Sequence, residues 1–289
     1  MHTHLPSSLQ RRSIWRCPWA IGLVLALGGW AAAAASAASE CGTVRVGLNS
    51  VAAETWFNEG SSSPEGALAE LARKALGTVG CKVELQRMPL ARLLLDAERG
   101  AIDLALVITV TEERRRAMRF PETGAGELDP RHALGQSRVS LVGLASEAAV
   151  LNRRRQDPKD LNLTVAVQRG SVGAERAKAA GWTLTYAPDP QRAAAMVRLG
   201  RADLLAGPDW SISPRALNEE PALEVLEPPL ALQPYYAPVS QAFWKRDPQR
   251  VQAIWRALCQ NAALLGGRPA AVCPGLATSS ARPEGKRQR

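Results

Sequence analysis

From residue 43 onward, short apolar runs alternate with amphipathic stretches. Thr43 to Leu48 is β-branched and reads as a strand. Leu68, Leu71, Ala72, Ala75 and Leu76 recur at three- and four-residue spacing and mark one face of a helix. Lys82 to Gln86 reads as a second strand, and Pro89 to Arg99 as a helix that Gly100 stops. Ile102 to Val107 is continuously apolar, as expected of a strand buried on both faces. Strands alternating with helices at this spacing argue for a parallel sheet.

The second half repeats the rhythm. Thr164-Val165-Ala166-Val167 echoes Thr43-Val44-Arg45-Val46, and Gly200-Arg201-Ala202-Asp203-Leu204 echoes Gly100-Ala101-Ile102-Asp103-Leu104. Leu163 to Val167 reads as a strand, Gly173 to Gly181 as a helix, and Asp203 to Ala206 as a strand. Asp189-Pro190 caps and starts a helix, and Asp247-Pro248 opens another in the same way. Val251, Ile254, Trp255, Leu258, Ala262 and Leu265 line one face of that last helix, which is expected to pack back on the first half. Two aperiodic stretches, Pro121 to Arg138 and the proline-rich Pro228 to Pro238, read as crossovers between two similar α/β lobes.

Length and charge narrow this picture. A chain of 289 residues, 46% of them hydrophobic, can hold one large or two ordinary domains. The net charge is +9, but the basic residues are scattered among acids, which argues against nucleic acid as a partner. Arg11, Arg12 and Arg16 precede an apolar stretch from Pro18 to Trp30, and Ala35-Ser36-Ala37 fits a small-x-small cleavage site. This reads as a signal peptide over residues 1–37, with a retained anchor or twin-arginine export as alternatives. The apolar run is short for a membrane span, so no membrane insertion is expected after cleavage near Ala37. Glu40 before Cys41 fits a lipoprotein signal poorly. Cys41, Cys81, Cys259 and Cys273 then remain, an even number that suits an oxidising periplasm. Cys41 and Cys81 precede two predicted strands that start at one sheet edge, where they could pair; free buried thiols are the alternative. No C-x-x-C spacing supports a zinc site, and no metal or cofactor is expected.

Catalytic motifs are sparse. Past residue 37 the chain has one histidine, His132, and there is no G-x-S-x-G, Walker A loop or H-E-x-x-H. The positive signal is Thr109-Val110-Thr111-Glu112-Glu113-Arg114, just past the carboxyl end of a predicted parallel strand, where α/β sheets bind ligands. There Arg114 either grips a carboxylate with a two-pronged hydrogen bond or is one more solvated arginine beside Arg115 and Arg116. Gly170-Ser171 sits at the matching edge of the second lobe and reads as an anion site or a plain helix cap. Asp209 either receives an ammonium group or caps a helix starting near Ser211. Trp56, Phe57, Tyr235 and Tyr236 are candidate pocket walls that could equally be packing.

At these residues the chain resembles the family-3 periplasmic solute-binding proteins, the amino-acid receptors of ABC importers. Thr43–Asn49, Arg99–Leu104, Thr109–Phe120, Val165–Ser171 and Gly200–Asp209 carry the likeness, with Gly100 to Phe120 its specific part. The resemblance implies the type II periplasmic-binding fold, two lobes with mostly parallel sheets joined by two crossovers, covering roughly 41–267. The expected division is lobe one at 41–128, lobe two at 129–232, a return to lobe one with a C-terminal helix at 233–267, and a disordered basic tail at 268–289. By family position, Arg114 takes the ligand α-carboxylate, Thr109 and Ser171 supply hydroxyls, and Asp209 lies one position from the acid that receives the α-amino group.

Asn49 stands where many amino-acid binders have Asp, Val107 where a polar contact is common, and Val172 where threonine is frequent. Pro121-Glu122-Thr123 departs from the usual Ser-x-Pro-Tyr. The resemblance therefore leaves open a small carboxylate or amine-bearing solute other than an ordinary α-amino acid. The expectation is a periplasmic, monomeric, non-enzymatic component of an importer that closes on a small molecule and docks on the transporter's membrane subunits. The rivals are a lyase or dehydratase of the same fold, using Asp209 or Glu175 as acid, and an orphan sensor or interaction protein.

Overall fold

The computed structural model describes residues 41–51, 66–157, 160, 162–265 and 273. The expected signal segment and all of the expected tail except Cys273 lie outside the described residues, as do Trp56 and Phe57.

Strand β1 (Cys41–Asn49) pairs in parallel with β2 (Cys81–Met88), from Cys41 opposite Cys81 to Asn49 opposite Met88. The two cysteines at the head of this register form a disulfide, with Cα atoms 4.6 Å apart. Helix α1 (Ala67–Thr78) connects the strands and buries Leu68, Leu71, Ala75 and Leu76, following its apolar spacing. Helix α2 (Leu90–Glu98) then leads to β3 (Leu104–Ala105), which pairs in parallel with the other side of β1.

The continuous strand expected over Ile102 to Val107 is not formed. The run is buried throughout, but only Leu104 and Ala105 pair in the first sheet. Val107 takes φ +59, sterically poor for a β-branched residue, and the chain turns there. It re-emerges as β4 (Ile108–Thr109), paired with a strand of the second sheet. Burial reads identically in both settings, so apolar content alone did not reveal the break.

Helix α3 (Glu112–Ala117) and β5 (Met118–Arg119) follow. The second sheet is built from β6 (Gly135–Leu144), helix α4 (Ala148–Arg154), β7 (Thr164–Gln168), helix α5 (Val172–Ala179) and β8 (Thr183–Ala187). Helix α6 (Pro190–Arg198), β9 (Leu204–Pro208), helix α7 (Pro214–Asn218) and β10 (Leu223–Tyr236) continue it. Strand β11 (Val239–Ser240) returns to the first sheet, followed by α8 (Gln241–Arg246) and α9 (Pro248–Asn261). The strand orders are β2-β1-β3-β11-β5 and β4-β10-β6-β9-β7-β8.

Both crossovers carry extended structure that the aperiodic sequence did not suggest. β6 and β10 pair antiparallel along most of their length, with a register shift between Leu226 and Ala231 that takes up Pro228 and Pro229. Pro234 lies one residue before the β4 pairing begins, so its missing N–H interrupts no ladder on that side.

Each sheet is covered on both faces. In the first, Val44, Val46 and Leu48 meet α1 and α9, while Leu93, Ile102 and Ala105 fill the opposite side. In the second, Val165 and Val167 pack toward α5 and their neighbour Ala166 toward α6. The face expected on the last helix is buried from Val251 to Leu265. Each large aliphatic side chain so removed from water stabilises the fold by about 1.5–3 kcal/mol. A second disulfide joins Cys259 of α9 to Cys273. The four described cysteines are therefore paired and are not free buried thiols.

Candidate functional site

The turn at Val107 sets up the site. After β4, the Thr111 hydroxyl accepts the Arg114 backbone N–H at 3.2 Å and starts α3, with Glu112 and Glu113 in the positive first turn. One turn in, the Arg114 side chain points back under its own helix and is buried. Its Nη1 donates to the Thr109 carbonyl at 2.7 Å and to the Thr109 hydroxyl at 2.6 Å. Its Nη2 donates to the Gly170 carbonyl at 2.5 Å, in the loop that follows β7. One guanidinium thus spans from the α3 loop to the edge of the second sheet.

All three acceptors are neutral, and among the described residues no carboxylate forms an ion pair with Arg114. Burial lowers its pKa to about 10, offset in part by the charges of Glu175 and Glu113. The group is still a cation at neutral pH. A buried charge held only by dipoles keeps much of its desolvation cost, and an anionic partner is what would compensate it.

Ser171, also buried, caps α5: its Oγ accepts the Ala174 N–H at 3.1 Å. A cleft of about 830 Å³ opens beside Arg114, with Thr111 and Glu113 on one side and Ser171, Glu175 and Tyr186 on the other. The Arg169 guanidinium lies 4.4 Å over the Tyr186 ring. Arg114, Thr109 and Ser171 are therefore brought together, the first two in direct contact.

Of the other expected residues, Tyr235 pairs with Thr109 between β10 and β4, while the side-chain hydrogen bonds of Asn49 and Asp209 are made elsewhere. Asn49 ends β1, and its Oδ1 accepts the Val51 N–H at 3.1 Å, a turn-forming bond. Asp209 uses Oδ1 to accept from the Ser137 hydroxyl (3.2 Å), the Arg138 N–H (3.3 Å) and the Trp210 N–H (2.9 Å). It fastens the end of β9 to β6, and the helix near Ser211 is a single 3-10 turn over Asp209–Ser211. Tyr235 and Tyr236 pack in the core, Tyr236 edge-on to Phe120 at 6.2 Å. Burial and the nearby Asp209 charge push the Tyr235 hydroxyl up to about 12. Sequence reasoning missed the Gly170 carbonyl, since no residue type encodes where a main-chain oxygen points.

Among the described residues, no group of three or more His, Cys, Asp or Glu is placed to hold a metal. No helix among them is long and apolar enough to cross a membrane.

Comparison with known proteins fits this geometry. Residues 44–127 match the family model of bacterial extracellular solute-binding proteins, family 3. Sequence comparison with curated proteins finds no match. Among solved structures, the chain is similar to an ancestral arginine-binding protein bound to arginine, at 19% identity and TM-score 0.60, covering 76% of this chain and 92% of that one. It is also similar to an ancestral amino-acid-binding protein described as a precursor of cyclohexadienyl dehydratase, at 19% identity and TM-score 0.59, covering 77% and 93%. A histidine kinase sensor domain with similarity to periplasmic binding proteins aligns at 18% identity and TM-score 0.62, covering 78% and 94%. The fold is that of the two-lobed periplasmic binding proteins.

Proposed function

We propose that this protein is an exported solute-binding protein that takes an amino acid or a related small carboxylate between its lobes. The carrying observation is Arg114, a buried cation whose acceptors in both lobes are all neutral. A ligand carboxylate there supplies the missing negative charge through two parallel hydrogen bonds. Thr109 and Ser171 flank that position, and Asn49, Asp209 and Trp56 complete the proposed ligand set. Lobe one spans 41–128, lobe two 129–232, and 233–267 returns to lobe one. Ligand contacts to both lobes stabilise the closed form by hinge motion. Residues 1–37 direct export to the periplasm, and the loaded monomer docks on the membrane subunits of an ABC importer.

Calorimetry with a panel of amino acids and small dicarboxylates tests this reading. Saturable binding to the wild type, lost in Arg114→Ala, is the expected result; carboxylate affinity that survives the substitution overturns the assignment. Glu175, a carboxylate on the cleft wall whose charge acts on Arg114, favours one second reading, a lyase of this fold. Turnover of a cyclohexadienyl substrate, abolished in Glu175→Gln, would replace the receptor reading.

A further inference from the structure

The cleft beside Arg114 is larger and more apolar than a carboxylate alone requires. Its volume of about 830 Å³ lies within the roughly 300–1,000 Å³ of pockets that enclose a drug-sized ligand. Five large hydrophobic side chains are exposed among the described residues. Two of them stand on this cleft, Leu95 of α2 at 36% and Tyr186 of β8 at 47%. Leu94 and Leu184, both half-buried, line it as well. Apolar surface gathered in a cleft marks a place where a partner's own apolar surface leaves water.

The charges around this apolar strip do not balance. Glu112 pairs with Arg116 at 3.6 Å. Glu98, Glu113 and Glu175 are exposed on the lining and form no ion pair with any described residue. Against them stand Arg114 at the floor and Lys178 on α5. Arg169 lies over the Tyr186 ring and is not part of the lining. Once a ligand carboxylate is held by Arg114, three carboxylates face Lys178 alone. A second negative charge on the ligand is repelled there, and a positive one is held. Glu113 and Glu175 are the acids whose charges act on Arg114, so they stand near the carboxylate end of the cleft.

We propose that the solute carries a cationic group and an aliphatic stem as well as its carboxylate, and that Glu113 and Glu175 select it by that cation. This rests on the placement of a ligand carboxylate at Arg114, and it narrows the ligand class by excluding dicarboxylates. The stem covers Leu94, Leu95 and Tyr186, and the ligand's ammonium or guanidinium donates to Glu113 and Glu175. Both acids lie beyond the ligand set proposed above. They act on opposite ends of the ligand with opposite sign: each holds the cation and repels the carboxylate.

Calorimetry of the full chain with hexanoate, adipate, norleucine and lysine separates the parts. Hexanoate offers carboxylate and stem, adipate a second carboxylate, norleucine one ammonium group and lysine two. Affinity is expected to rise from hexanoate through norleucine to lysine, by about tenfold or more overall, with adipate no tighter than hexanoate. Glu113→Gln and Glu175→Gln, both on exposed side chains, are each expected to weaken lysine about tenfold without weakening hexanoate. A merely structural role would weaken both ligands alike. Hexanoate or adipate bound as tightly as lysine, and lost in Arg114→Ala, overturns this proposal and leaves the carboxylate site standing. Unchanged lysine affinity in the double variant Glu113→Gln/Glu175→Gln overturns the role of the two acids. Binding that survives Arg114→Ala, or no saturable binding of any of the four, overturns the carboxylate reading and this one with it.

Discussion

Arg114 costs stability at the position proposed to serve binding. Its guanidinium is buried with three neutral acceptors, so the folded state carries a charge it has not fully compensated. Replacing such a group by an apolar side chain of similar length is often neutral or stabilising. Arg114→Met is therefore expected to keep or raise the thermal midpoint in calorimetry while abolishing ligand binding. Arg114→Lys keeps the charge but loses the fork, and titration is expected to show about a tenfold to hundredfold loss of affinity. A residue of the opposite kind is Gly173, whose added Cβ would stand 2.3 Å from the Ala206 carbonyl oxygen of β9. The nearest atoms are all backbone of Ala206 and Gly207, so no flexible side chain can yield. Gly173→Ala is expected to destabilise by about 1–3 kcal/mol in urea denaturation. The conflict at Gly173 is invisible in sequence, because the partner lies in a strand more than thirty residues away.

At the scale of elements, the twice-written phrase proves to be a fastening used once per sheet. Gly100 and Gly200 both take positive φ and end α2 and α6, and the next N–H in each copy reaches back to Asp96 or Met196. Asp103 then accepts the Arg45 N–H of β1 at 3.0 Å, and Asp203 accepts the Thr164 N–H of β7 at 2.7 Å. Each aspartate also donates its own N–H to the carbonyl of the same residue, Arg45 or Thr164. The copies differ in surroundings. Asp103 is nearly fully buried and also ion-pairs with Arg45 and Arg246, whereas the Asp203 side chain is 32% exposed. Asp103→Ala is therefore expected to cost more unfolding free energy in urea denaturation than Asp203→Ala, the first by about 1–3 kcal/mol.

Burial alone would raise the Asp103 pKa, but the Arg45 side-chain and backbone bonds and the Arg45 and Arg246 charges outweigh it and hold it below the usual value. Its contribution is thus complete above the unfolded-state value, about pH 4, and is lost as the pH falls through the lower folded value. Urea midpoints measured from pH 6 down to pH 3 should fall in the wild type and fall less steeply in Asp103→Asn.

For the molecule as a whole, the proposed ligand and the two disulfides act on the same folding equilibrium. A ligand at a hundred times its dissociation constant adds about 2.7 kcal/mol to unfolding. A scan with the right solute should therefore raise the thermal midpoint by several degrees, and not in Arg114→Ala. The disulfides close loops of 40 and 14 residues in sequence separation. In the chain-entropy account each contributes roughly 3–4 kcal/mol, the larger loop slightly more. Adding a reductant to the native protein is expected to lower the midpoint in two steps, which Cys41→Ser and Cys259→Ser assign one to each bond.

By itself, the sequence determined the local order. Helix faces such as Leu68 to Leu76, caps such as Thr111, Asp189 and Asp247, and stops at Gly100 and Gly200 rest on neighbouring residues alone, so they were legible. The parallel edge shared by Cys41 and Cys81 followed from that order. Only the tertiary structure decided what depends on distant backbone. The apolar run after Asp103 divides between two sheets because β1 and β10 compete for it, and burial is the same in either place. Asp209 turns to β6 because the Arg138 N–H and the Ser137 hydroxyl wait there, a demand no spacing records. Arg114 is legible as a candidate cation, but its meaning depends on the Gly170 carbonyl, a main-chain atom that every residue type carries alike. What became of that cation was settled by the approach of the two sheets, which buries the charge and leaves only dipoles to hold it.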